Sequence, residues 1–323
     1  MSSGTRGRKV IGVGFACVDQ LVRWRSVGEP VAGNDVIQYD MQGGGMTATA
    51  MVAVARLGVR AEFWGAVGDG PMGRFLLDGL RRESVDISQV VRVSGSDGPV
   101  YLVCVDGATG ERMFYRAMAV ADPQEPFGDV ERLTEAGCLL VDGSCGQAAV
   151  RAARKAKQLG LPVVGDVGTT QGAMEQLLPL IDYAIASQQC ALGLGVGDDY
   201  QAACTLITDK GPDVAVITLG EKGLICFDGQ RFISRQAFEV DVVDTTGAGD
   251  TFHGAFCVGL VRGLSLEVNL SFASAVAAIS CTKLGGRAGM ASMDEVVGFL
   301  RQHDPMFDDK ELAMLLSAAG LRE

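Results

Sequence analysis

Histidine is almost missing: His253 and His303 are the only two in 323 residues, too few to build a His-rich metal centre. The nine cysteines (17, 104, 138, 145, 190, 204, 226, 257 and 281) are odd in number, evenly scattered and without a CxxC pair. That spacing argues against a zinc site and a disulfide scaffold, and points to a reduced, cytoplasmic protein. Basic residues are also in short supply. The 28 Lys and Arg face 39 Asp and Glu, a formal net charge of −11, which argues against nucleic acid or an anionic membrane as partner. No apolar run approaches the ~18 residues of a membrane span, and the opening MSSGTRGRKV lacks the apolar core of a signal peptide. A Pro/Ser-rich linker, an internal repeat and a low-complexity block are all missing, and the length allows one large domain or two smaller ones.

Apolar residues, by contrast, reach 48% and glycine reaches 44 residues, close to twice its usual ~7% share. The chain can bury a core, and it must make many tight turns and close backbone approaches. Short apolar runs at Val10–Phe15, Ala61–Val67, Cys138–Asp142, Pro162–Asp166, Tyr183–Ala186 and Val214–Leu219 predict buried strands. Amphipathic stretches at Ala48–Leu57, Met72–Glu83, Gln147–Leu159 and Tyr200–Asp209 predict helices between them. This alternation implies an α/β fold with a mostly parallel sheet covered by helices on both faces, and ligands beyond the carboxyl ends of its strands. Two places break the rhythm: Val36–Tyr39, and the pair Val100–Asp106 and Arg112–Met118 around the turn Gly107–Gly110. They read as antiparallel strands inserted from about 20–42 and 100–118, a candidate lid or an ordinary edge extension. The end of the chain, Asp309–Ala319, reads as a helical tail.

The most informative run is FEVDVVDTTGAGDTFHGAF, residues 238–256. Its alternating start predicts a strand ending near Val243; small residues 245–249 then predict a turn, and Asp250 begins an apolar helix through Leu260. A glycine-rich turn opening a helix aims backbone N–H groups and the positive end of the helix dipole at one spot, an anion cradle. Asp250 sits where a general base would take a proton from a hydroxyl attacking a bound phosphate. Read alone, the same residues fit a capped helix behind a plain turn.

Residues Asp244–Phe256 match the signature of the ribokinase-like (PfkB) sugar kinases, and the resemblance spans nearly the whole chain. GVGFACVD (12–19) resembles the family's first strand and sugar-binding Asp. Gly43, Gly44 and Gly45 with ARLG (55–58) resemble the N-terminal signature, and GAVGD (65–69) with Gly73 and TLGEKG (218–223) fit later landmarks. The resemblance implies that residues 1–323 form a single domain of three-layer αβα ribokinase-like fold with a small β-sheet lid, and an ATP-dependent phosphotransferase acting on a sugar hydroxyl. It implies Asp250 as base, with the amides of Gly247, Ala248 and Gly249 stabilising the transferred phosphoryl group. Asp19, Gly43, Gly44, Thr49 and Arg116 would contact the sugar; Thr218, Gly220, Gly223, Ser187, Ser274, Gly285 and Gly286 would line the nucleotide. ATP and Mg²⁺ are the implied cofactors, with K⁺ held at Asp244 and Thr246 as in some members. A homodimer paired through the lid strands is expected by the same resemblance and from their open edges.

The pattern is broken in places. Thr49 replaces the signature's usual Asn, and the Asn-x-x-Glu motif that organises Mg²⁺ becomes Ser187-Gln-Gln-Cys190, leaving Asp166 as one substitute anchor. Residues 238–255, Phe272-Ala-Ser274, and Cys281-Thr282 with the Gly285-Gly-Arg-Ala-Gly289 run look nearest the branch containing 6-deoxy-6-sulfofructose kinase. At that enzyme's sulfonate-gripping positions this chain has Gly33 or Asn34, Arg116 and Ser144, so much of the grip is missing. Alternatives at this stage are a sulfofructose or nucleoside kinase, a non-catalytic sugar or nucleotide sensor on the kinase fold, and a dinucleotide oxidoreductase. The last is weakened because residues 12–17 lack GxGxxG.

Overall fold

The computed structural model describes residues 9–24, 36–107, 112–117 and 127–316. Gly33, Asn34, the tip of the Gly107–Gly110 turn, Met118 and the end of the tail lie outside these. The strands are β1 (Lys9–Val13), β2 (Cys17–Trp24), β3 (Val36–Gly44), β4 (Arg60–Trp64), β5 (Ala66–Gly68), β6 (Val85–Asp86), β7 (Val91–Val93), β8 (Val100–Asp106), β9 (Arg112–Ala117), β10 (Ala136–Val141), β11 (Val163–Val167), β12 (Tyr183–Ser187), β13 (Val214–Thr218), β14 (Leu224–Phe227) and β15 (Phe232–Arg235). The helices are α1 (Met46–Arg56), α2 (Pro71–Arg82), α3 (Gly146–Gln158), α4 (Ala173–Leu177), α5 (Gln188–Leu192), α6 (Tyr200–Thr208), α7 (Ala248–Arg262), α8 (Leu266–Ser280), α9 (Met293–His303) and α10 (Asp309–Leu316).

Nine strands form one sheet in the order β15-β14-β13-β12-β11-β10-β1-β4-β6. It is parallel from β6 to β13 and antiparallel at the β13–β14–β15 edge. Successive side chains of a strand point to opposite faces, and here both faces are covered. Val10, Leu140, Val164 and Val216 pack on the side of α1, α7 and α8; Ile11, Leu139, Val163 and Ile217 pack on the side of α3, α4 and α6. Burial on both faces is why these strands read as unbroken apolar runs. The result is the three-layer αβα arrangement. A second sheet, β3-β2-β8-β9, stands apart from it, and β5 pairs with β7 as a small two-stranded piece.

Three sequence readings are corrected. The strand expected over Ala61–Val67 breaks at Gly65: β4 joins the main sheet and β5 pairs with β7. A Cβ on Gly65 would run into Phe63 and the Gly14 carbonyl, so the chain turns there without room for a side chain. The alternating stretch before Val243 is no strand; residues 236–243 join no ladder. Its period of two arises because Phe238 and Val240 are half-buried against a cavity while Glu239 and Asp241 are exposed; Val242 and Val243 are both exposed. Residues 12–19, read with a single first strand, span the end of β1 and the start of β2, and Asp19 lies inside β2.

Candidate active site

Helix α7 starts without a side-chain cap. Its N-cap is Gly247 at φ 71°, which has no side chain to cap the first N–H groups, so the positive end of the helix is open to an anion. Thr251 N donates to Gly247 O at 2.8 Å to begin the helix, and Ala248 N makes only a 3.3 Å bond to Thr245 O. Nothing lies within 4 Å of where a Cβ on Gly249 would stand. The first turn therefore faces open space along its glycine side.

Asp250 sits in that first turn. Burial pushes its carboxyl well above the ordinary range; Asp166, Asp19 and Asp142 push the same way, and Arg287 opposes them. Asp166, at the carboxyl end of β11, is likewise raised by burial and by Asp142, against the pull of His253. His253 ties these parts together: Nδ1 is 2.6 Å from Gly249 O, and Nε2 is 3.4 Å from Ile185 O and 3.6 Å from Asp166 Oδ1. Asp142 is fully engaged, accepting from Phe15 N, Thr47 Oγ1, Ser144 N and Ser144 Oγ.

The second sheet supplies the other wall. Gln42, Asp19, Tyr101 and Arg116 are directly paired across β3, β2, β8 and β9, so their side chains share one face. Asp19 accepts from Cys17 Sγ at 3.3 Å and is raised by burial, with Cys17 and Arg287 holding it down. Arg116 is exposed, two strands from Asp19. Gly43 and Gly44 are glycine for a steric reason: a Cβ on Gly43 would meet the Arg287 guanidinium, and one on Gly44 the Asp19 carboxylate. Thr49, expected at the sugar, is instead 2% exposed on α1 and accepts from Arg287 Nε at 3.4 Å.

On the far side of α7 a cavity of about 650 Å³ is lined by Thr218, Gly220, Gly223, Ala248, Gly249 and Ser274, among others. Gly223 must be glycine: it sits at φ 86° and a Cβ would strike the Arg235 carbonyl. The cavity fits a nucleotide, with apolar walls for a base and the uncapped helix start for phosphates. Three expected liners are elsewhere. Ser187 caps α5 by accepting from Cys190 N at 3.2 Å, and its neighbour Gln188 lines the cavity instead. Gly285 donates to Asp244 Oδ2 at 2.8 Å and packs on Gln42, while Gly286 packs on Gly247. Both glycines therefore shape the loop, and neither is among the residues lining the cavity. Asp244 accepts from Thr246 N and Oγ1 at 2.9 and 2.8 Å. Among the described residues no group of three His, Cys, Asp or Glu side chains is gathered to hold a metal.

His253 and Arg287 were not assigned site roles from sequence. Each is polar within a run of apolar or small residues, the one signal that marks them. An αβα sheet with a glycine-opened helix start at its carboxyl edge, a carboxylate in the first helical turn and a second sheet opposite define a phosphotransferase of ribokinase-like fold. The chain belongs to the pfkB family of carbohydrate kinases, whose model matches residues 15–293, and it is a carbohydrate kinase. It is 29% identical over 289 residues to the ribokinase of Haemophilus influenzae, covering 84% of this chain and 91% of that protein. It is 30% identical over 282 residues to the aminoimidazole riboside kinase of Salmonella typhimurium, covering 80% and 88%. The structure of Arabidopsis thaliana ribokinase complexed with ribose and ATP shares the fold at a TM-score of 0.80 and 24% identity, covering 91% of this chain and 99% of that one.

Proposed function

We propose that the chain transfers the terminal phosphoryl group of ATP to a hydroxyl of a small sugar or sugar derivative held between the two sheets. The observation that carries this reading is Asp250 beside an uncapped, glycine-opened helix start. Asp19 binds acceptor hydroxyls, with Gly43 and Gly44 forming the rim. Asp250 takes the proton of the attacking hydroxyl. Charge on the peripheral oxygens of the loose transition state is stabilised by the amides of residues 247–249. ATP lies along Thr218, Gly220, Gly223 and Ser274. Mg²⁺ would neutralise phosphate charge when bound. Asp166 and Gln188 take the place of the family's Asn-x-x-Glu as outer partners. A monovalent cation at Asp244 and Thr246 would draw on backbone oxygens, and turnover in K⁺ against Na⁺ buffers tests it.

Two further points belong to this reading. Ser144 is committed to Asp142, which leaves Arg116 as the one described side chain of a sulfonate grip, so a sugar or nucleoside is favoured over a sulfosugar. On the face of the second sheet opposite Asp19, the rows Tyr39-Val22-Cys104-Met113 and Met41-Gln20-Leu102-Tyr115 leave Tyr39, Met113 and Tyr115 60%, 41% and 54% exposed. Such an apolar patch supports a homodimer through this sheet. Eight buried free thiols of nine fit a reducing cytoplasm; among the described residues no helix is long and apolar enough to cross a membrane. A coupled ADP-release assay with ATP and Mg²⁺ across sugars, ketoses, nucleosides and sugar phosphates tests the function. An acceptor-dependent signal is expected. ATP binding without turnover on any acceptor would instead support the sensor.

A further inference from the structure

Among the described residues only two cations are buried, Lys9 and Arg287. Lys9 is ion-paired with Glu62 at 2.6 Å and Glu135 at 3.0 Å. Arg287, 7% exposed, gives its hydrogen bonds to neutral oxygens: Nη2 to Gly44 O at 3.1 Å and Nε to Thr49 Oγ1 at 3.4 Å. Withdrawing a guanidinium from water is costly unless negative charge surrounds it. Here that charge comes from Asp19, Glu83 and Asp250. Burial draws Arg287 down to about 10, which leaves it cationic at neutral pH.

The residues just before Arg287 bear on both halves of the site. Leu284 O accepts from Gln42 Nε2 at 3.3 Å, on the strand that ends in Gly43 and Gly44. Gly285 N donates to Asp244, and Gly286 lies against Gly247 at the start of α7. We propose that Arg287 is a positioning residue for phosphoryl transfer: it pins the Gly43–Gly44 rim to the segment abutting the phosphoryl cradle, and its charge balances Asp19 and Asp250. The proposal rests on the kinase reading of those two carboxylates.

The charged groups around them set the expected effect. Asp250 is faced by Asp166 from β11, Asp142 after β10, Asp19 from β2 and Arg287. Asp19 is faced by Cys17, Arg287 and Asp244. Arg287 is the one cation in both sets, so removing it should raise the proton affinity of both carboxyls. The test is a ¹³C-carboxyl titration of aspartate-labelled apoenzyme for wild type, Arg287→Lys and Arg287→Met, with Asp19→Asn and Asp250→Asn spectra assigning the signals. In Arg287→Met both groups should titrate about one pH unit higher, a tenfold change in proton affinity, and Arg287→Lys should stay close to wild type. In turnover, Arg287→Met should lower kcat about a hundredfold. Arg287→Lys should keep the acid limb of the pH profile but raise the acceptor KM, because an ammonium cannot reproduce the planar fork between Gly44 and Thr49. Arg287→Gln removes the charge while keeping a donor for Gly44, and carries the titration if the Met variant does not fold. A merely structural Arg287 leaves both titrations unmoved, and that result overturns the proposal. The titration needs no substrate, so its failure is separable from a failure of the kinase reading, which the acceptor panel reads.

Discussion

Gly247 and Gly286 meet backbone to backbone: a Cβ on Gly247 would stand 2.8 Å from the Gly286 Cα. The pair lets the Leu284–Arg287 segment press against the first turn of α7 and keeps that turn facing the cleft. Gly247 also sits at φ 71°, a region other residues enter at a cost of roughly 1–2 kcal/mol. Gly247→Ala is therefore expected to lose only about that much stability while kcat falls about a hundredfold through a displaced cradle. Thermal unfolding and steady-state kinetics on the same preparation check both halves.

A second expectation concerns pH. The Asp250 carboxyl is raised in the folded state, first by burial and then by its acidic neighbours. A group raised on folding contributes stability that is fully present below its unfolded value and lost as pH rises through the folded one. Above the unfolded value, holding this carboxyl in its buried acidic surroundings therefore weakens the fold. Asp250→Asn should unfold about 2 °C or more above wild type at pH 8, with the difference vanishing near pH 4, around the unfolded Asp value of ~3.9. Scanning calorimetry across that range is the check, and equal midpoints at pH 8 would contradict it.

How much was readable in advance depended on where each partner lies in the chain. β1, β10, β11, β12 and β13 are covered on both faces, so composition alone marks them; α1, α2, α3 and α6 were located to within about two residues by their spacing. β2 was hidden because its residues alternate irregularly between a half-covered face and the cleft, and β14 and β15 because the short turn around Gly220–Gly223 drew the reading toward the nucleotide. Gly247, Gly249 and Asp250 were legible because a helix start is local. Arg287 was not, since its partners Gly44 and Thr49 lie 243 and 238 residues away. His253 likewise meets Ile185 and Asp166 only once the sheet has formed.

The opposite end of the main sheet separates stability from function. Glu62, 1% exposed, accepts from Lys9 Nζ at 2.6 Å, Trp64 Nε1 at 2.8 Å and Arg132 Nε at 2.6 Å. Lys9 begins β1, and Arg132 and Glu135 precede β10, so this network lies away from the carboxyl ends that carry the site. Burial pushes Glu62 up, but its bonds from Arg132, Lys9 and Trp64 outweigh that and leave it below the usual range. Glu62→Gln should cost about 3 kcal/mol, chiefly by leaving the buried Lys9 with only the exposed Glu135 as ion-pair partner, with acceptor KM unchanged below the new unfolding midpoint.

Gly223 offers a test of the nucleotide side. A Cβ there would strike the Arg235 carbonyl, so Gly223→Ala must displace the turn that lines the cavity. The expected result is an ATP KM about tenfold higher with the acceptor KM preserved, since a strain of ~1–3 kcal/mol falls on one wall only. Equal rises in both would show that the two halves are not separately built.

The most direct test of the account compares wild type with Asp250→Asn for turnover on the acceptor that the panel identifies and for ATP affinity by calorimetry. The account predicts a loss of about 10²–10⁴ in kcat, the range for removing a general base, with ATP affinity nearly unchanged. An Asp250→Asn enzyme that turns over at the wild-type rate would contradict it.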